Sequence, residues 1–99
     1  MYYTYMLRCA DNSIYTGMTN DLNKRINEHL TKNGAKYTKS HNAVKLESAW
    51  KSKDKSLACK LEYQIKALSK MQKEALINGE KLSDYLSRKV DCRRYRRIV

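Results

Sequence analysis

The first nineteen residues constrain the fold most strongly, because two β-type runs stand there only three residues apart. Tyr2 to Cys9 reads YYTYMLRC and Ser13 to Thr19 reads SIYTGMT, with Ala10, Asp11 and Asn12 between them. Aromatic and β-branched runs bounded by short polar residues predict an antiparallel hairpin. Two registers are open. A three-residue loop pairs Cys9 with Ser13, hence Leu7 with Tyr15 and Tyr5 with Gly17, and places those last four on one face of the sheet. A two-residue loop at Asp11-Asn12 turns Tyr5 and Tyr15 to opposite faces instead.

Beyond the hairpin the pattern changes to helical. Thr19 or Asn20 caps a helix running through Asp21 to about Lys32, with Asp21 near the positive end of the dipole. Leu22, Ile26 and Leu30 make its apolar stripe, and Arg25 and His29, also four apart, share a neighbouring face. Asn33-Gly34 supplies a stop. Ala35 to Asn42 reads as a polar, basic loop, and Ala43 to Lys51, with Val44, Leu46 and Trp50, as a third strand. Ser56 caps a second helix in which Leu57, Leu61, Ile65 and Leu68 align. Glu62 sits about 100° from Leu61 on the helical wheel, at the border of that stripe. Ser69-Lys70-Met71-Gln72 has the form of a capping box opening a third helix that Asn78-Gly79 closes. Leu82, Tyr85 and Leu86 support a short further helix before the terminal RRYRRIV.

Composition narrows the partner. The 99 residues carry 21 Lys and Arg against 10 Asp and Glu, a formal charge of +11, which points to a polyanion. The charge is uneven: Met1 to Trp50 holds seven basic and four acidic residues, net +3, whereas Lys51 to Val99 holds fourteen and six, net +8. A chain of this length has room for one small core. It has no apolar run of about 18 residues for a membrane span and begins without the features of a secretory signal, so the expected setting is cytoplasmic. Cys9, Cys59 and Cys92 match no metal-ligand spacing and read as reduced thiols.

One ordered set of residues stands out. Tyr3 to Tyr5 reads YTY, Tyr15 to Gly17 reads YTG, Arg25 follows ten residues after Tyr15, His29 one helical turn later, and Glu62 lies on a downstream helix. This set resembles the GIY-YIG nuclease superfamily, and GAKYTKS and LEYQIKALSK look like its small, single-domain bacterial members. The similarity covers roughly the first four fifths of the chain. Tyr3 and Thr4 replace the Gly and Ile of the family name, Thr16 replaces the second Ile, and Met18 stands where excision-repair members have lysine. Asn78 is the one candidate for a metal-orienting asparagine.

The resemblance implies an α/β (α+β) fold, a small, mostly antiparallel three-stranded sheet flanked by helices. It places the nuclease-like domain at 1–80, with 81–99 as a basic extension that is partly helical or disordered. It implies a metal-dependent endonuclease hydrolysing DNA phosphodiesters to a 5′-phosphate and 3′-hydroxyl, structure-directed or nonspecific, in repair or recombination. Glu62 would be the single protein ligand of one Mg²⁺ or Mn²⁺ ion, and Arg25 a planar fork for phosphate oxygens. Tyr5 would be the general base, Tyr15 would orient water or phosphate, and His29 would hydrogen-bond Tyr5 or the phosphate. An ordinary tyrosine titrates near 10, so Tyr5 needs help from its neighbours. These roles require the three-residue register, in which Gly17 opposite Tyr5 leaves room for a phosphate. Lys36, Tyr37, Lys39 and His41 of the loop and Arg93, Arg94, Arg96 and Arg97 of the tail would contact nucleic acid, DNA rather than RNA, with Tyr95 stacking on bases.

Each residue also has an ordinary reading. Tyr5 and Tyr15 suit any strand, Arg25 and His29 any wet helix face, and Glu62 pairs with Lys66 at helical spacing. At the level of the whole chain the rivals are a non-catalytic nucleic-acid-binding module of the same fold and a small basic RNA-associated protein. On the nuclease reading, a partner protein would supply targeting.

Overall fold

The computed structural model describes residues 1–31 and 42–99; Lys36, Tyr37, Lys39 and His41 lie outside the described residues. Strand β1 (Tyr2–Cys9) pairs antiparallel with β2 (Ile14–Thr19) on one side and with β3 (Ala43–Ser52) on the other. A short β4 (Arg96–Arg97) pairs antiparallel with β3, giving the order β2-β1-β3-β4. The expected three strands are therefore four, and the added one comes from the basic tail. Helices α1 (Leu22–Leu30), α2 (Lys55–Lys66), α3 (Lys70–Ile77) and α4 (Ser83–Leu86), with a 3₁₀ turn at Cys92–Arg94, complete an α+β fold among the described residues. None of these helices is long and apolar enough to cross a membrane.

The hairpin adopts the three-residue register, with Tyr5 opposite Gly17 and Leu7 opposite Tyr15. Its turn is closed by Cys9 N–H to the Ser13 carbonyl and Asn12 N–H to the Cys9 carbonyl, both 2.9 Å. Asn12 takes the left-handed conformation such a loop needs (φ 69°), which asparagine tolerates better than most residues. The Asp11 carboxylate accepts from Ser13 N–H at 3.0 Å. Local chemistry thus selects the register.

The helix starts shift slightly from expectation. Asp21, not Thr19 or Asn20, caps α1 by accepting from Lys24 N–H at 3.2 Å, while Thr19 Oγ1 accepts from Asp21 N–H just before it. Asp54, not Ser56, caps α2, accepting from Leu57 N–H at 2.9 Å. The capping box at Ser69 and Gln72 is formed in both directions, and Gly79 ends α3 at φ 110°, where a side chain would be strained.

Alternation along the strands divides the interior in two. Tyr5, Leu7 and Ala49 face α1, where Leu22 and Ile26 cover them together with Tyr15 and Leu46. Met6 and Trp50 face the opposite way, onto Leu61 and Ile65 of α2 and Leu76 of α3. Each fully buried Leu or Ile there contributes roughly 1.5–3 kcal/mol. In α1 the stripe differs from the expected one: Leu30 is 42 % exposed and His29 is fully buried. With Leu22 and Ile26, His29 follows an i, i+4, i+7 progression that lies nearer the centre of the covered face than Leu30 does.

The tail holds the main corrections. Leu82, Leu86, Val90 and Tyr95 belong to the same core cluster as Met6 and Trp50. Tyr95 is buried and its hydroxyl donates to the Leu57 carbonyl at 2.6 Å, so it does not present a face for base stacking. The Arg97 guanidinium donates to the carbonyls of Leu76 and Ile77 and lies 5.4 Å from the Trp50 ring centre. It satisfies the open C-terminal end of α3 and is withdrawn from the phosphate-contact set.

A second arginine ties the hairpin to the helices. Arg8 on β1 donates to both carboxylate oxygens of Glu74 on α3, at 2.6 and 2.5 Å, and to Glu47 on β3 at 3.0 Å. Hydrogen bonding from Arg8 holds the Glu74 carboxyl below its ordinary range. That contribution is present above the usual glutamate pKa and is lost as pH falls through the lowered one. Arg8→Ala should destabilise the fold by about 2 kcal/mol, less than a fully buried pair because these groups are partly wet. Urea denaturation at pH 7 measures the loss, and the gap between variant and wild type should narrow in acid.

Candidate active site

Three elements bring four of the expected side chains together. β1 supplies Tyr5, the neighbouring β2 supplies Tyr15 on the same face, and α1, laid across that face, supplies Arg25 and His29. The Tyr5 and Tyr15 rings are 6.3 Å apart, and His29 lies 5.6 Å from Tyr5 and 5.2 Å from Tyr15, centre to centre. Tyr5 Oη and His29 Nε2 are 2.8 Å apart. The three rings form a cluster that Arg25 borders.

The direction of the central hydrogen bond follows from its surroundings. Burial, with the Arg25 cation acting in the same sense, lowers the His29 pKa to about 4, so near neutrality the imidazole is neutral. The Arg25 cation acts on Tyr5 against the effect of burial, in the sense that favours the ionised phenol. A neutral imidazole carrying its hydrogen on Nδ1 leaves Nε2 to accept the phenolic hydrogen of Tyr5. Burial and then the neighbouring Tyr15 raise Tyr5 to about 12; Arg25 opposes this and the Glu62 charge adds to it. At rest Tyr5 is a firmly protonated donor, further from a phenolate than a free tyrosine.

Gly17 has a different role from the expected one. It is buried, and a Cβ there would stand 2.6 Å from Tyr5 Oη, 2.8 Å from Tyr5 Cζ and 3.0 Å from a Tyr15 ring carbon. The space opposite Tyr5 holds the tyrosine's own phenol end rather than a phosphate. Gly17 is a positioning residue for Tyr5.

Glu62 comes from α2, on the other side of the sheet from α1. Its helix packs against β1 and β2 by the face bearing Leu61 and Ile65, opposite to α1. The side chain is 22 % exposed and pairs with Lys66 at 3.2 Å, and its charge is felt at Tyr5. No group of three or more His, Cys, Asp or Glu suited to a metal occurs among the described residues. A single partly exposed carboxylate on a helix fits a hard divalent ion that would keep most of its waters and take its remaining oxygens from a phosphate. Glu28, not singled out in the sequence, receives Arg25 at 3.4 Å and helps to aim its fork; the i, i+3 spacing was the available signal.

The other expected contacts are dispersed. Arg93 is held by Asp91 at 3.0 Å, Arg94 approaches the same carboxylate at 3.9 Å, and Arg96 is exposed. Asn78 is the C-cap of α3.

Comparison with known proteins bears on the family and the fold. The family model described as the GIY-YIG catalytic domain matches residues 1–75. A UPF0213 protein of Fusobacterium nucleatum is 53 % identical over 77 residues, covering 78 % of this chain and 77 % of the relative. The UPF0213 protein YhbQ of Salmonella typhimurium is 43 % identical over 76 residues, 77 % of this chain and 76 % of its own. The solution NMR structure of a UPF0213 protein from Bacillus halodurans aligns with a TM-score of 0.51 at 40 % identity, covering 79 % of this chain and 84 % of that one.

Proposed function

The chain belongs to the GIY-YIG family, alongside the UPF0213 proteins, and from that premise we propose that it is a metal-dependent endonuclease that hydrolyses DNA phosphodiester bonds. The observation that carries this reading is the Tyr5–His29 hydrogen bond of 2.8 Å, set beside Arg25 in a buried cluster. Arg25 receives the scissile phosphate through its planar fork. Water attacks phosphorus, the bond to the 3′ oxygen breaks, the departing oxygen takes a proton from solvent, and the 5′-phosphate and 3′-hydroxyl separate. Tyr5 takes the proton of the attacking water as its own hydrogen passes to His29 Nε2. An arriving phosphate supports that transfer, because its charge offsets the Arg25 cation that disfavours imidazolium. Tyr15, on the adjoining strand, orients the water or the phosphate. Glu62 would hold one Mg²⁺ or Mn²⁺ ion, which supplies positive charge to the phosphate and the departing oxygen. Repair or recombination in the cytoplasm, with a protein partner for targeting, is the setting that fits such a small basic domain.

The test is cleavage of single-stranded, duplex and branched DNA, and of RNA, with Mg²⁺, Mn²⁺ or EDTA. Arg25→Ala should lower kcat/KM by about 10²–10³. The acid limb of kcat/KM for the wild type should fall only as pH drops towards the His29 value of about 4. Absence of metal-dependent cutting on every substrate would leave the non-catalytic binding module in its place.

A further inference from the structure

We propose that the face of the sheet where β3 meets β4 is a separate seat for a nucleic-acid backbone, formed by Lys51 and Lys53 with Arg94 and Arg96. The proposal rests on the nucleic-acid reading above and extends it to a surface outside the catalytic cluster, half of which, Arg94 and Arg96, lies beyond the residues 1–75 that the family model matches.

The seat is a product of register. Thr19, Tyr3, Lys51 and Arg96 fall in one row across all four strands, on the same face as Tyr5. Within that row Lys51 stands directly opposite Arg96, an arrangement of like charges that a sheet ordinarily avoids. Lys53 continues from the end of β3, and Arg94 arrives from the 3₁₀ turn that leads into β4. All four line one surface groove of about 410 Å³ that has no carboxylate in its wall. Among the described residues Lys51, Lys53 and Arg96 make no ion pair, whereas Arg8, Arg25, Lys66 and Arg93 each have one close carboxylate or more, and Arg94 only a distant one at 3.9 Å. Four cations gathered in one groove, three of them without an ion pair among the described residues and two of them face to face, call for an external polyanion.

The neighbouring residues show the same division of labour. Along the tail Tyr95 and Arg97 turn inward to Leu57 and Trp50, and the alternation of the strand necessarily turns Arg96 outward. At Cα level Lys51 lies one strand over and two residues along from Tyr5, about 8 Å by ordinary sheet spacing. A phosphate backbone on the seat and a scissile phosphate at Arg25 therefore belong to one molecule. The seat supplies affinity, and the cluster supplies chemistry.

The experiment is the salt dependence of binding, read by fluorescence anisotropy of a labelled duplex. One variant carries Lys51→Gln, Lys53→Gln, Arg94→Gln and Arg96→Gln; the control carries Lys60→Gln, Lys81→Gln, Arg88→Gln and Lys89→Gln. Each removes four charges, so only their placement differs. The seat variant should reduce the slope of log Kd against log salt by about 3 to 4, at about 0.9 per phosphate contact, and the control by less than about 1. Its cleavage rate at saturating DNA should match the wild type while KM rises, and it should melt no lower, because removing facing cations relieves repulsion. Equal slope changes in the two variants overturn the seat, as does a seat variant that keeps oligonucleotide binding and loses binding to phosphatidylserine vesicles. A wild type that does not bind the duplex overturns it too. Binding needs no turnover, so a missing cleavage activity leaves the slope intact, and equal slopes leave the nuclease reading intact.

Discussion

Glu62→Gln is expected to lower metal-dependent DNA cleavage by about 10³ while leaving DNA affinity within about twofold. The substitution keeps the side-chain volume and exchanges a charged oxygen for a neutral amide, so it removes the carboxylate proposed to hold the ion. Stability should change little. The only ion pair Glu62 makes among the described residues is the one with Lys66, which is itself half-exposed, and such pairs are worth about 0.3–0.5 kcal/mol on a helix. A second readout follows from the electrostatics: the Glu62 charge helps to raise Tyr5, so ultraviolet titration of the variant should show Tyr5 ionising at lower pH than in the wild type. If cleavage stays above about a tenth of the wild-type rate with saturating Mg²⁺, the ion is not held by Glu62.

Gly17→Ala should damage fold and activity together. A glycine inside a strand is intrinsically unfavourable by about 0.5–1 kcal/mol, so alanine at a free position would stabilise. Here the added methyl would meet Tyr5 Oη at 2.6 Å and Tyr5 Cζ at 2.8 Å, and Tyr5 is itself buried beneath α1 with no open direction of retreat. A net loss of about 1–3 kcal/mol is expected, and for a domain this size each kcal/mol lowers Tm by about 4–8 °C. The displaced phenol also loses its alignment with His29, so cleavage should fall by more than the loss of folded protein explains. Tyr5→Phe alone leaves His29 Nε2 without that donor, a loss of about 1–3 kcal/mol. Combined with Gly17→Ala it should destabilise less than the two single changes added, because it removes the nearest clashing atom. An additive result would show that the clash is not the mechanism.

What the sequence reveals about this fold is mostly what short range decides. The hairpin turn and the Ser69–Gln72 capping box are settled within a few residues, and both are read correctly once the three-residue register is chosen. The caps of α1 and α2 are less legible because Thr19, Asn20 and Asp21, or Asp54 and Ser56, compete within a single turn. Polar burial is harder still. His29 reads as a wet helix residue until the Tyr5 hydroxyl on another element gives its ring a partner. Gly17 reads as open space until the phenol end of Tyr5 fills it. RRYRRIV reads as a solvated tail, since nothing near it in sequence announces that Trp50, Leu57 and the carbonyls of Leu76 and Ile77 wait for Tyr95 and Arg97.

The strand order β2-β1-β3-β4 has a consequence for how the chain is made. The hairpin can close as soon as it is synthesised, but β1 must wait for β3, more than thirty residues later, and β3 for Arg96 and Arg97. Until those last residues emerge, Trp50 lacks its arginine lid, the end of α3 is open, and the apolar face that Tyr95 will cover is exposed to the cell. Long-range pairings of this kind slow folding and lengthen the exposure of unpaired edges. A ribosome-bound chain stopped short of residue 95 should therefore be a substrate for chaperones and proteases, and one extended past Arg97 should not.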